Sequence, residues 1–416
     1  MLIHWIWLAT RPGLSDRGRA VLLQQFRDAE DIYYADADAF REMDQEAAQS
    51  LQDKDLSQAQ QILDTCGRLK IQLLTIRDAA YPARLRNIPD PPVVLYYKGM
   101  LPQCDSLPLI SVVGTRKASA YGLTVAKRMG YQLSCCGGVV VSGMAYGIDG
   151  MAMRGALTAG APVIGVLGCG VDVVYPLSNR HLFADVERSG CLLSEFPPGT
   201  PPVKWNFPKR NRIISGLGCG VLVVEAPEKS GALITARLAA DQGRDVFVVP
   251  GNIDVASCAG SNALLRDGAI AVSSGWDILS EYQAQFPQAI HPARMTASQQ
   301  AYADEVEQAA QEAEPYRAKV AQQPRLPGQR KKEKKVCDKK EIDNGVASPY
   351  SDAETKLPQL SRDEETILAL VNQGRTLVDD LIAESTLPAG AVLAALTMLE
   401  IKGIVLRLPG KRVQRK

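Results

Sequence analysis

Seven short apolar runs, near residues 109–113, 139–142, 163–167, 191–194, 221–225, 246–249 and 270–272, each lead into a glycine-bearing loop and usually an amphipathic segment. Runs such as GVVVSG (138–143) and GVLVVEA (220–226) carry no alternation of apolar and polar residues. A strand with no face to spare for water is covered by helices on both sides, the condition of a parallel sheet. The pattern therefore predicts a doubly wound α/β domain. Ligands of such sheets bind outside the carboxyl ends of the strands, so function belongs in the loops that leave each strand.

The chain on either side reads differently. Residues 1–70 are helical in pattern, with SDRGRAVLLQQF and LSQAQQILDTCGRL placing apolar residues three and four apart, and predict a small module of the helix-hairpin-helix or SAM kind. From 71 the period changes, IQLLTI and PPVVLYYKG read as short strands, and the α/β domain is expected over 71–287. Residues 288–360 turn rich in Ala, Gln, Glu and Pro, then strongly basic (RKKEKK), then acidic; such segments bury too little apolar area to fold and predict a disordered charged linker. Over 361–416, three helical patterns and IVLRLPGKRVQRK, read as a two-stranded wing with a Pro-Gly turn, predict a winged helix.

With 47 Lys and Arg against 46 Asp and Glu, the net charge is +1, so a surface for a polyanion has to be local. The nine Cys form no CxxC pair and there are three His, which leaves no usual zinc spacing and fits reduced thiols in the cytoplasm. The apolar start, MLIHWIWLATRPG, lacks the basic segment of a signal peptide and reads as a first helix. No run reaches the roughly 20 apolar residues of a membrane span, so no membrane partner is expected.

Four strand-end loops carry candidate chemistry. In VVGTRKASAYG, Gly114 permits a tight turn, Thr115 lies beside it, and Arg116 and Lys117 project charge near a helix amino terminus that Ser119 could cap. In SGMAYGID, Ser142, Gly143 and Gly147 free backbone amides, with Asp149 expected to cap the next helix. In FPKRNR, Lys209, Arg210, Asn211 and Arg212 fall within one helical turn, after Trp205 and Phe207. A solvated charged face is the ordinary reading of such a run. Cations beside flat rings also make a single-strand track, the cations following phosphates while rings stack bases. In EKSGALITA, Ser230 and Gly231 form a strand-to-helix turn with Thr235 in the helix; the turn could hold a phosphate or be a plain N-cap.

The chain has neither GxxxxGK[ST] nor GxGxxG after its first strand, so no nucleotide or dinucleotide cofactor is expected. Asp172 and Glu225 stand near strand ends with no partner at a spacing suited to hydrolysis. Binding is expected rather than catalysis, with no catalytic residue and no metal.

The runs YPARLRNIPDPPVVLYYKG, SVVGTRKASAYG, VVSGMAYGIDGMAMRGAL, FPKRNRIISGL, SGALITA and GSNALLRDGA, in order over about 80–282, resemble the DNA-processing protein A family, DprA, also called Smf. The resemblance implies an extended Rossmann-type domain that binds single-stranded DNA, forms a homodimer and helps load RecA recombinase in natural transformation and recombination. It implies DNA contacts at Gly114, Thr115, Arg116, Ser142, Gly143, Lys209, Arg210, Asn211, Arg212, Ser230, Gly231 and Thr235. The chain departs from the family's Ala-His after GID, with Ala152-Met153 instead. The third helix of the winged unit, PAGAVLAALTM, offers no base-reading Arg, Asn or Gln; its charges lie in the wing at Arg407, Lys411, Arg412, Arg415 and Lys416, which suits protein contact or nonspecific binding. The alternative from another class is a nucleotide-processing enzyme related to phosphoribohydrolases, whose PGGxGTxxE signature is absent.

Overall fold

The computed structural model describes residues 1–292, 294, 361–372, 377–385, 387, 389–401, 404–408 and 412–415. The chain divides into two compact units, 1–324 and 325–416.

The first unit is built on a nine-stranded sheet, and the apolar runs are its strands: β3 (Leu109–Val113), β4 (Val139–Ser142), β5 (Val163–Val166), β6 (Cys191–Ser194), β7 (Gly220–Val223), β8 (Asp245–Val248) and β9 (Ile270–Ala271). They are parallel, in the order β6-β5-β4-β3-β7-β8-β9. Two antiparallel strands extend the β6 edge: β2 (Val94–Gly99) pairs with β6, and β1 (Gln72–Thr75) with β2. Every residue of β3 to β7 is buried, as the unbroken apolar runs require.

The chain steps outward from β3 to β6, returns, and then steps the other way from β7 to β9. Because crossovers between parallel strands are right-handed, this reversal puts α7 (Ala120–Cys135) and α8 (Ile148–Thr158) on one face of the sheet. It puts α11 (Gly231–Asp241) on the other, where α10 (Asn206–Leu217) packs beside it. The order of strands reverses between β3 and β7, the place where a doubly wound sheet opens a crevice.

The amino-terminal helices do not stand apart as a separate module. Their buried Trp7, Leu22, Ile32 and Phe40 belong to the same continuous hydrophobic cluster as Tyr81, Tyr96 and the central strands. Arg77 Nη2 donates to the Leu23 carbonyl at 2.7 Å, a further tie between the two segments. Nor does the core end at residue 287. Ile290 is 2% exposed within the cluster, and His291 N donates to the Cys136 carbonyl at 2.9 Å, so the packed chain continues to Ile290. The rest of the expected linker, 295–360, lies outside the described residues.

The second unit carries the expected three helices, α14 (Arg362–Asn372), α15 (Val378–Glu384) and α16 (Ala389–Ile401), and an antiparallel pair, β10 (Val405–Leu408) with β11 (Arg412–Arg415). Its own core joins Ile367, Leu381, Val392, Leu396, Val405 and Val413. The Pro409-Gly410 turn, Lys411 and Lys416 lie outside the described residues. Among the described residues no helix is long and apolar enough to cross a membrane.

Helices α7 and α8 touch backbone to backbone. A Cβ at Gly130 would strike the Ala152 carbonyl, and one at Gly155 the Lys127 carbonyl. Neither obstacle is a side chain that could swing away. Gly130→Val is expected to force the helices apart at a cost of about 1–3 kcal/mol or more, read as a lowered unfolding midpoint.

Candidate nucleic-acid interface

The two loops that flank the strand-order reversal are locked together. Thr115 N donates to the Glu225 carbonyl at 2.7 Å, and the buried Glu225 carboxylate accepts from Ser119 N at 3.2 Å and Ser119 Oγ at 2.7 Å. Ser119 Oγ also accepts from Gly122 N at 3.0 Å, capping α7. A Cβ at Gly114 would meet Ile148 at 2.5 Å and the Glu225 carbonyl at 2.9 Å, so glycine lets the loops close. Gly147 (φ +75°) brings the loop after β4 against the first, and a Cβ there would strike the Thr115 carbonyl. Arg116 and Lys117 are left exposed.

The basic cluster of FPKRNR is divided by the helix it sits on. At 3.6 residues per turn, positions 210 and 211 cannot share a direction with 209 and 212. Arg210 and Asn211 line the crevice. Arg210 is 4% exposed; its guanidinium donates to the Val166 carbonyl and lies where a Cβ of Gly143 would be, 2.5 Å from Nη1. Burial lowers its pKa to about 10 against the opposing effect of Asp149, so it stays cationic at neutral pH. Burial likewise raises the Asp149 carboxyl, with Arg210 pulling it back.

Lys209 and Arg212 do not line the crevice. Arg212 Nη2 meets Glu195 at 2.6 Å and Asp16 at 3.1 Å, its Nε meets Asp90 at 3.2 Å, and Lys209 Nζ meets Asp16 at 2.9 Å. Both expected DNA-contact cations are thus engaged with carboxylates.

The loop after β4 is occupied too. Ser142 is buried and donates to the Val112 carbonyl at 2.7 Å, while Gly143 N donates to Asp149 at 3.2 Å. Contrary to the expectation from sequence, Asp149 is not the helix cap: Gly147 is the N-cap of α8, and Asp149 braces the preceding loop. The buried carboxylate competes successfully for the amide that a phosphate would need. Ser230 caps α11, accepting from Ala232 N at 3.3 Å, and the buried Thr235 Oγ1 donates to the Gly231 carbonyl. Asn211 Nδ2 reaches the same carbonyl at 3.4 Å, joining α10 to this turn.

What remains is one cleft of about 700 Å³. It gathers Gly114, Thr115, Arg116, Arg210 and Asn211 with Ser230, Gly231 and Thr235 from three chain segments. It also includes Lys204, Lys229 and Tyr175, absent from the sequence expectation. Lys204 lies two residues ahead of α10, Lys229 directly before Ser230, and Tyr175 in the VVYPLSN loop beyond β5. A search of every strand-end loop for lone cations and rings is the signal that finds them. Arg116 lies over the Phe207 ring at 5.3 Å, Tyr175 packs against Phe207 at 5.6 Å between centroids, and Trp205 is 75% exposed. Asp149 is the one carboxylate in the lining. Asp172 is turned to the loop after β6, accepting from Gly199 N at 2.9 Å.

The sequence model of the family described as DNA recombination-mediator protein A matches residues 72–283, which hold the whole cleft, and that of the DprA winged helix domain matches 351–411. The chain belongs to the DprA/Smf family. Protein Smf of Synechocystis sp. is 36% identical over 354 residues, covering 83% of this chain and 80% of that one. DNA processing protein DprA of Bacillus subtilis is 44% identical over 211 residues, covering 51% and 71%. The X-ray structure of DprA from Streptococcus pneumoniae superposes with a TM-score of 0.59 at 34% identity, covering 68% of this chain and 98% of that one.

In this DprA-family chain Gly143 leaves room for the Arg210 guanidinium, since a Cβ there would come within 2.5 Å of Nη1. Gly143→Ala is expected to push the guanidinium off the Val166 carbonyl and to destabilise the domain by about 1–3 kcal/mol in denaturant unfolding.

Proposed function

We propose that the cleft holds single-stranded DNA and breaks no bond in it. On the family relationship, we further propose that the chain acts in the cytoplasm as a homodimeric recombination mediator that protects the strand and passes it to RecA recombinase. The observation that carries the DNA reading is the convergence, at the strand-order reversal, of the exposed cations Arg116, Lys204 and Lys229 with Phe207 and Tyr175. Among the described residues, no ion pair with a carboxylate engages these three cations. Cations at intervals suit a phosphate chain, and rings can stack only on bases that are not already stacked in a duplex.

Gly231 supports the same reading. A Cβ there meets nothing within 4 Å, and the residue is exposed, so nothing inside the protein requires glycine at this point. Bare backbone at a helix amino terminus facing an open cleft suits close approach by an anion. Hydrolysis lacks similar support, since Asp149 is spent on the Gly143 amide and Glu225 on Ser119.

With three free cations, the logarithm of affinity for an oligonucleotide is expected to fall with log salt at a slope of about −2.1, from about −0.7 per phosphate. Arg116→Ala, Lys204→Ala and Lys229→Ala should each flatten it by about 0.7, whatever the sequence. Equal retention of single- and double-stranded DNA, or slopes unmoved in all three variants, would refute the track. Release of free base from nucleoside monophosphates would favour the phosphoribohydrolase alternative instead.

Gly231→Leu is expected to weaken binding while leaving the thermal unfolding midpoint unchanged. A loss of stability without a loss of affinity would mean that the glycine serves the fold.

A further inference from the structure

Helix α10 supplies the cleft with Phe207, Arg210 and Asn211, and its first turn is joined to the preceding loop by the backbone bond from Asn206 N to the Val203 carbonyl at 3.1 Å, without a side-chain cap. Its N-cap, Trp205, makes no side-chain hydrogen bond, and the segment before it, PPGTPPV, forms neither helix nor strand. On the cleft side the helix is tied by Arg210 to the Val166 carbonyl and by Asn211 to the Gly231 carbonyl; on the opposite side it is held by charge. Lys209 and Arg212, three residues apart, meet carboxylates from three distant places: Asp16 at the start of α2 (Asp16–Gln25), Asp90 in the β1–β2 connection and Glu195 just beyond β6. Glu195 and Asp90 belong to the sheet domain, whereas Asp16 comes from the amino-terminal helices. Asp16 has a second anchor in Arg19 Nη1, at 2.8 Å, and Arg19 donates to the carbonyls of Leu8 and Arg11 at the end of α1 (Leu2–Ala9). A continuous set of contacts thus runs from α1 to the helix that lines the cleft.

Charge makes the pin firm. Burial pushes the Asp16 carboxyl up, but Arg212 and Lys209 together hold it below its ordinary value, so it stays ionised between two cations of α10. Arg212 is 4% exposed and serves three acids, which leaves no slack for it to follow a different helix position without abandoning one of them.

We propose that Asp16 is a positioning residue for the cleft: through Lys209 and Arg212 it sets the placement of α10, and with it Phe207, Arg210 and Asn211. The proposal rests on the DNA-binding reading above. It assigns the amino-terminal helices a part in DNA binding without contact between them and the strand.

The test separates placement from simple electrostatics by sign. Asp16→Asn removes a negative charge and leaves Lys209 only its 3.9 Å approach to Glu195; if charge alone mattered, the full-length protein would bind a single-stranded oligonucleotide more tightly, with a salt slope steeper by up to about 0.7. Placement predicts the reverse: binding weaker by about fivefold or more, with the slope unchanged because the cations on the track are the same. Asp16→Glu, which keeps the charge, should recover most of the loss. Should Asp16→Asn fail to fold, Asp90→Asn, on a more exposed acid that also meets Arg212, should show a smaller loss of the same sign. Unchanged or tighter binding by the folded variant overturns the proposal while the DNA reading stands. A wild-type chain that does not retain the oligonucleotide overturns the DNA reading itself, and this proposal with it.

Discussion

The cleft depends on Glu225. Strand order reverses between β3 and β7, and at such a place two loops diverge over the sheet with nothing in the ladder to join them. Glu225 joins them by its backbone carbonyl to Thr115 and by its carboxylate to Ser119, which in turn caps α7. A buried carboxylate requires several donors to offset the loss of water, and here the donors come from the opposite loop. The acid that looks in sequence like a catalytic candidate is therefore a structural clasp, and Arg116 stands exposed beside it because the loop beneath is fixed.

A second division of labour runs through α10. The helix turns two of its charged and polar side chains toward the cleft and two toward the acids behind, so one short segment is both wall and anchor. Arg210 illustrates how little of a basic cluster has to reach solvent to shape a site. Fixed against the Val166 carbonyl and Gly143, it adds positive potential to the cleft floor from a place that no ligand has to reorganise.

The strands were legible because buried parallel strands leave a local mark, an unbroken run of β-branched residues between glycines. Their order was not, since pairing leaves no such mark. The cluster at 209–212 was legible as a cluster, and helical periodicity alone separates 210 and 211 from 209 and 212. What no local pattern reveals is where each side turns, because the acids that capture Lys209 and Arg212 stand at 16, 90 and 195. The partners of Ser142 and Asp149 leave no local mark either: the hydroxyl donates to the Val112 carbonyl, and the carboxylate, expected to cap the next helix, accepts from the Gly143 amide. The core's extension to Ile290 rests on that one isolated side chain, which has no period to announce it.

The capture of Lys209 and Arg212 also governs how a polyanion first meets this molecule. With those charges paired at short range, the cleft's positive charge comes from Arg116, Lys204, Lys229 and the buried Arg210. Beyond a Debye length of about 8 Å at physiological ionic strength its field is screened away. Any attraction that this region exerts on a polyanion therefore acts at close range.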